Sequence, residues 1–463
     1  MTGSRSGDLL LVADTAGRHR RWMRVCLGLA IGLVTLTWST STGGGETSAA
    51  QAGLLISAFT GLVVTAWNPR AGAGGSAFLY FFVFALFHGG LVIAYVLHGD
   101  AALLGGGDNS WIAAERLAPA TSLTVIGAAS ASAGVALGQL GRAGDSLPSA
   151  ATAPTGRLPV VGGVAAVVGV GMIGSALWSN GGLAGVGGYL EFLDVVAGES
   201  VFSYGTLLLG LGLCLLVASG GRSRIVGWAS MLALAALALP LGLRGPVLFP
   251  LVTLVMIEAK RRRLQLWIFV LVAAAVLSAI SVIRQTRAQG FSGLLAGGWT
   301  RIDPIDGAAE MGYSLFPVVQ VEQWMSAGLP PMNGVTFIAP VVRVAERLLG
   351  VPSPPGDQDL RLFNVEVFTR IGPIGGSPIA EGYRNFDVLG VVLVMCVLGF
   401  VLARIDRLPG TPKGAALAAV IMLPIVTAVR NSFAPVLPQI LIGLVLVGAA
   451  FLGSRDRGGG GTR

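Results

Sequence analysis

Charge is scarce in this chain: Asp, Glu, Lys and Arg make up 12% of its 463 residues, whereas a soluble domain carries about a quarter. So few charges cannot solvate a composition that is 53% hydrophobic, which excludes a string of soluble domains. Lysine is nearly missing, with Lys260 and Lys413 the two among 31 basic residues, and histidine occurs three times. Cys26, Cys214 and Cys396 fall inside apolar stretches with no CxxC or zinc spacing. They read as small hydrophobes rather than a disulfide or metal framework. Walker A, HExxH and GxSxG patterns are absent. The net charge of +8 does not signal a nucleic-acid partner, because most cations stand singly between apolar segments and form no phosphate-tracking patch.

What is present is apolar sequence. A mean hydropathy of +0.76 marks an all-α polytopic integral membrane protein, since helices satisfy their own backbone groups in lipid. A span needs about 20 apolar residues. Twelve segments are candidates: 25–40, 52–67, 77–97, 121–140, 158–178, 201–218, 225–243, 247–257, 264–283, 388–405, 415–429 and 436–452. The eighth is short, and Pro246 just before it suits a helix start. The first follows a cluster of arginines (Arg18 to Arg24) but lacks a convincing small-residue cleavage site, so it reads as a retained helix rather than a signal peptide. With both termini in the cytoplasm, 20 cations fall on the inner side and 11 on the outer side, as the positive-inside rule requires.

The chain then divides into spans 1–9 (residues 1–283), an extracytoplasmic loop (284–387), spans 10–12 (388–453) and a glycine-rich tail (454–463) expected to be disordered. The long loop holds eight Arg and ten acids but no Lys or His. Loops of that length usually have structure and function of their own. Residues 335–349 within it are amphipathic, and so is a shorter outer stretch at 189–196 expected to lie on the membrane surface.

Several motifs have plain explanations. Gly169, Gly171 and Gly174 spell GxGxxG inside an apolar segment with no strand before it, which favours close helix packing over dinucleotide binding. His88 sits in mid-span and reads as an interhelical hydrogen-bonder; neither it nor His98 argues for a metal site. The informative residues are arginines on the outer side. Arg244 ends the seventh span in a turn expected to be only a residue or two long. Arg284 and Arg287 leave the ninth, Arg384 precedes the tenth and Arg430 closes the eleventh. Snorkelling onto lipid headgroups is one explanation. The exclusive use of Arg favours another, because its planar fork suits phosphate or carboxylate. The outer acids are a third possible destination for these cations.

Residues 376–390 read Gly-Ser-Pro-Ile-Ala-Glu-Gly-Tyr-Arg-Asn-Phe-Asp-Val-Leu-Gly and run straight into the tenth span. The stretch resembles the S-x-x-x-E-x-Y-x-N-F-G-x-x-G signature of bacterial O-antigen and exopolysaccharide repeat-unit polymerases of the Wzy type. Ser377, Glu381, Tyr383, Asn385, Phe386 and Gly390 match, while Asp387 replaces the usual Gly. Arg244-Gly245-Pro246 is similar to that family's short Arg-containing turn, Arg301-Ile302-Asp303 to its R-x-D element, and residues 333–336 to its G-x-[ST]-[YF]-like segment. The family's Trp and Lys-Pro pattern is not clearly present around 343–355.

The resemblance implies a GT-C-like membrane glycosyltransferase in the cytoplasmic (inner) membrane. Its substrates would be glycans on undecaprenyl pyrophosphate, joined at the outer leaflet among membrane lipids. Glu381 is the candidate base, with Asp303 second. Arg244, Arg284 and Arg384 are candidates for stabilising the leaving pyrophosphate. Arg430, Arg287, Arg301, Tyr383 and Asn385 are candidate substrate ligands. No cofactor or metal is expected, because preorganised Arg can stabilise the developing charge. A chain-length regulator and a flippase are possible partners, and no nucleic acid is expected. Two other functions remain open: an O-antigen ligase, whose family uses a loop His absent here, and a lipid-linked oligosaccharide flippase.

Overall fold

A computed structural model describes residues 23–37, 48–98, 110–112, 114–140, 155–179, 200–286, 290–297, 299 and 301–452. The segment at 189–196, the tail from 453 and Arg287 lie outside the described residues. The helices are α1 (Met23–Thr37), α2 (Ser48–Ala66), α3 (Ser76–His98), α4 (Ala114–Gln139), α5 (Leu158–Ser179), α6 (Ser200–Ser219), α7 (Gly221–Ala238), α8 (Gly245–Ala259), α9 (Leu266–Thr286), α10 (Gly290–Leu295), α11 (Pro304–Met311), α12 (Phe316–Ser326), α13 (Val335–Leu348), α14 (Phe363–Ile371), α15 (Pro378–Ile405), α16 (Pro412–Thr427) and α17 (Val436–Phe451).

Over their described residues the twelve apolar segments coincide with helices, but eleven of these are apolar enough to count as candidate or shorter apolar spans; α7, which carries the seventh segment and ends at Ala238, is not among them. Seven helices (α2 to α6, α9 and α15) are long and apolar enough to cross a membrane, and α1, α8, α16 and α17 are shorter apolar helices. Large apolar side chains cover the perimeter, such as Val167 (73% exposed) and Leu232 (68%). That is a lipid-facing surface, and the protein is a multi-pass membrane protein.

The core is built on α3, α4 and α16, with α4 packed along α15 and α2, and α16 against α6 and α8. Glycine permits the closest approach between α5 and α6. A Cβ on Gly169 would lie 2.5 Å from the Leu209 nitrogen, whereas one on Gly171 or Gly174 would meet nothing within 4 Å. One of the three glycines of GxGxxG is therefore a packing residue. The connection before α8 is longer than the expected residue or two, running from Leu239 to Arg244, because α7 stops short of Pro240 and Gly242 turns the chain with φ 76°.

The connections assigned to one side by the charge count meet at one end of the bundle. Lys260 donates to the carbonyls of Ile405 (2.9 Å) and Leu408 (3.1 Å), Arg261 to Val217 and Ala218 (both 2.7 Å), and Arg407 to Leu140 (2.9 Å). Cations suit such helix C-termini. The long-loop residues gather at the opposite end. There the tenth predicted span differs from its expected start: α15 begins at Pro378, capped by Ser377, and breaks at Phe386 and Asp387 before continuing. A Cβ on Gly390 would lie 1.9 Å from the Gly382 carbonyl oxygen, so the piece after the break folds closely back on the piece before it.

Candidate active site

Two clusters occupy the loop-bearing end, both built against α3 near His88–Leu91. The first is built on Glu310, in the last turn of α11. Arg244 donates through Nη1 to the Glu310 backbone carbonyl (3.2 Å) and through Nη2 to its carboxylate. Arg284, from the end of α9, places Nε 3.1 Å from the other carboxylate oxygen. Arg244 and Glu310 are buried. Burying each ion costs several kcal/mol of hydration, which the pairing of both guanidinium groups with the Glu310 carboxylate offsets. α11 reaches this place because Gly90 lets α3 approach: a Cβ there would lie 2.2 Å from the Ala308 carbonyl oxygen.

Asp303 starts the same helix. Its Oδ1 accepts from the Ile305 N–H (2.8 Å) as an N-cap, and Pro304 holds the first helical position. Its Oδ2 takes Arg301 Nη2 at 2.7 Å, and the same Nη2 lies 3.2 Å from His98 Nδ1. His98, Asp303 and Asp306 bring ligand-type atoms within 4.8 Å of one another. Arg301 supplies the positive charge among them.

The second cluster surrounds Glu381, in the first turn of α15, where the helix N-terminus favours an anion. Its Oε1 accepts from the Thr336 hydroxyl (2.8 Å) and its Oε2 from the Phe433 backbone N–H (2.6 Å). Asn385 Nδ2 donates to Thr336 Oγ1 (2.7 Å) and to the Glu381 carbonyl (2.8 Å). Ser377 caps the helix and lies 2.8 Å from His88 Nε2, while His88 Nδ1 lies 3.0 Å from the Phe84 carbonyl. Nδ1 can approach a carbonyl only as a donor, so Nε2 accepts from Ser377. His88 is thus an interhelical hydrogen-bonder, as expected. These contacts join three parts of the signature, Ser377, Glu381 and Asn385, to α3, α13 and the turn before α17.

The other arginines stand apart. Arg384 is buried with its Nε 3.0 Å and Nη2 2.9 Å from Glu366, and Nη1 on the Pro330 carbonyl. Arg430 lies in the turn after α16, where its carbonyl accepts from the Gly376 N–H (2.7 Å). Tyr383 is half-buried facing Asp387. Deeper in the loop, Arg361 holds Glu346 by two bonds (2.7 and 2.9 Å) and Asp359 at 2.9 Å, with Arg343 also on Asp359. Hydrogen bonding from Arg361, aided by Arg343, holds the Asp359 carboxyl down at about 2, and Arg361 holds Glu346 below the usual carboxylate range.

Glu310 and Glu366 were not among the residues singled out by sequence. Glu310 carried one faint signal, as the lone acid in Ala308-Ala309-Glu310-Met311. Glu366 carried none.

The architecture and this polar end define a polytopic membrane protein whose signature segment is part of a packed site. Residues 369–452 match the model of the O-antigen polysaccharide polymerase Wzy family. That range contains Glu381 to Gly390, so the family match falls on the same segment that carries the sequence resemblance. A curated relative, Protein CapE of Staphylococcus aureus, is 22% identical over 258 residues, 55% of this chain and 57% of CapE. The chain therefore matches little more than half of that relative's length. No solved structure matches it.

Proposed function

We propose that the protein is a membrane glycosyltransferase that polymerises oligosaccharide repeat units carried on undecaprenyl pyrophosphate. It would work at the outer face of the cytoplasmic membrane, with the loop-bearing end outside and the Lys260 end inside. The observation that carries this reading is the Wzy match over a segment whose Glu381 is buried among neutral hydrogen-bond donors. The pairing of Arg244 and Arg284 on Glu310 at the same end of the bundle adds to it.

In this reaction the acceptor hydroxyl oxygen bonds to the anomeric carbon of the donor glycan. The bond from that carbon to the pyrophosphate oxygen breaks, its electron pair leaving with undecaprenyl pyrophosphate. Glu381 takes the hydroxyl proton, and Asp303 is the second candidate. Arg244 and Arg284 stabilise the charge on the leaving group, oriented by Glu310, so no metal is required of the scheme. Removing one such donor costs about 2.7–4 kcal/mol of barrier. Arg384, already engaged by Glu366, acts as a positioning residue between α14 and α15. Arg301, Arg430 and Arg287 remain the candidate ligands for phosphate or sugar, Arg301 while paired with Asp303, and Tyr383 with Asn385 frames the acceptor. Thr336 covers Glu381, so α13 must shift for an acceptor to reach the carboxylate. A flippase and a chain-length regulator would be its partners.

Radiolabelled lipid-linked repeat units given to the purified protein in detergent test the reading. Growth beyond one unit supports a polymerase. Transfer to a lipid-A-type acceptor without growth would make it a ligase, and movement across a bilayer without either would make it a transporter.

A further inference from the structure

α13 is amphipathic in the reverse sense from a helix bathed in water. Its inward face is polar and engaged. Thr336 bonds Glu381 (2.8 Å), Arg343 holds the Pro354 carbonyl (3.0 Å) and Asp359, and Glu346 takes two bonds from Arg361. Its opposite face is apolar and uncovered. Ile338, Val341, Val344 and Leu348 follow one another at helical spacing, and Leu349 and Val351 extend the stripe. All six are exposed, Leu348 at 81% and Leu349 at 77%. A water-facing surface seldom carries so large a contiguous apolar patch, and one that does marks an interaction site. This patch adjoins the lipid-facing perimeter. Gly334, just before α13, lies so close to Phe386 that a Cβ there would sit 2.8 Å from its ring. Phe337, beside the stripe, packs edge-on against Phe433, with ring centroids 5.7 Å apart. Phe386 marks the break from which α15 continues as an apolar span, with Leu389 and Leu393 exposed on the perimeter. Phe433 precedes α17, whose Leu437 and Leu441 are exposed likewise. The stripe therefore begins where two apolar helices leave the hydrocarbon.

We propose that α13 is an interfacial helix that seats this face in the lipid leaflet at the loop-bearing end of the bundle. The partner is the bilayer, because the patch continues a surface that already faces lipid and offers no polar group for a protein partner to match. Acyl chains ask for burial alone. Arg347, exposed in the last turn and off the apolar stripe, stands where a guanidinium reaches headgroup phosphate while its stem lies along the apolar boundary. This seating goes beyond the polymerase reading and does not depend on it. It bears on the site all the same. Thr336 covers Glu381 from the other face of the same helix, so the leaflet holds that cover in place.

Spin labels measure the seat. Val341→Cys, Val344→Cys and Leu348→Cys are made singly in the full-length protein, with Cys26, Cys214 and Cys396 replaced by Ala. Each is labelled with a nitroxide in nanodiscs of phosphatidylethanolamine and phosphatidylglycerol. Molecular oxygen concentrates in hydrocarbon and a nickel chelate in water, so the two collision rates report depth. All three labels should favour oxygen, as a label at the perimeter residue Leu393 does, whereas one at the exposed loop residue Asp357 should favour nickel. Ile338→Asp with Leu349→Asp, both exposed and clear of the inward contacts, should lift the helix and reverse the order at position 344. Labels that favour nickel on the unaltered helix would leave the face in water, and labels shielded from both reagents would mean that a second copy or another protein covers it. Either result overturns the proposal, as would an order that the two aspartates leave unchanged. A phospholipid with a diazirine in its acyl chain gives a check on the native sequence. Adducts mapped by mass spectrometry should include residues 338–349, and adducts confined to the perimeter of the spanning helices would contradict the seat.

Discussion

Arg244 separates a phosphate ligand from a lipid-headgroup anchor: Glu310 takes one bond from each Nη and so holds the guanidinium in place, leaving the second hydrogen of each Nη to a ligand. An anchor needs only positive charge. A diphosphate ligand needs planar paired donors, which an ammonium does not reproduce. Arg244→Lys should therefore lower polymer formation by about 10²–10³ at unchanged expression, with single lipid-linked units accumulating. Arg222→Lys, an exposed cation at the opposite end, should be silent. A fully active Arg244→Lys protein would take this residue out of the chemistry. For the base, Glu381→Gln keeps size and most hydrogen bonding, and turnover should fall by roughly 10²–10⁴. Near-normal elongation would shift the role to Asp303. Sequence could place these residues at helix ends but could not name their partners. Glu310 is 66 positions from Arg244, and Glu366 is 18 from Arg384. Pairings across such separations are set by packing, which periodicity does not encode.

At the scale of the element, the apolar segments were readable because lipid admits little but helices. Breaks and loop contacts were not. Asp387 has φ 56° and ψ −148°, a conformation that is costly for any residue with a Cβ. That explains why the signature uses Gly there. Here the Asp387 carboxylate offsets part of the strain by accepting from the Val388 N–H at 2.7 Å. Both Asp387→Gly and Asp387→Ala lose that bond, but only Gly relieves the backbone. Thermal melts in detergent should find the Gly variant more stable than the Ala variant by about 1–3 kcal/mol. Equal melting would mean that the break is not strained.

The loop network around Arg361 has its own pH signature. The Asp359 carboxyl is lowered from its ordinary 3.8 to about 2, first by hydrogen bonding from Arg361, then by Arg343 against opposing burial. A depressed carboxyl contributes stability that is present above its unfolded value and lost as pH falls through its folded value. Hydrogen-exchange protection across 335–362, corrected for the intrinsic pH dependence of amide exchange, should therefore fall between about pH 4 and pH 2. Asp359→Asn should exchange faster already at neutral pH and lose that acid step.

At the scale of the whole molecule, the charge count along the sequence foreshadowed which connections share an end, because charge resists burial in lipid wherever it falls. The two polar clusters were not legible, since each draws on helices separated by long stretches of chain. Orientation has a direct check. A cysteine at Asp357, exposed on the loop, should react with an impermeant maleimide in intact cells, and one at Arg222 should not; labelling at 222 would invert the arrangement. The central claim concerns bond making. Purified protein should be given a single-unit donor labelled separately in its glycan and in its lipid, together with a single-unit acceptor. The expected result is a two-unit product, with one undecaprenyl pyrophosphate released per linkage formed and both events slowed together by Glu381→Gln. Release of lipid without a joined product, or no release at all by fully folded protein, would contradict it.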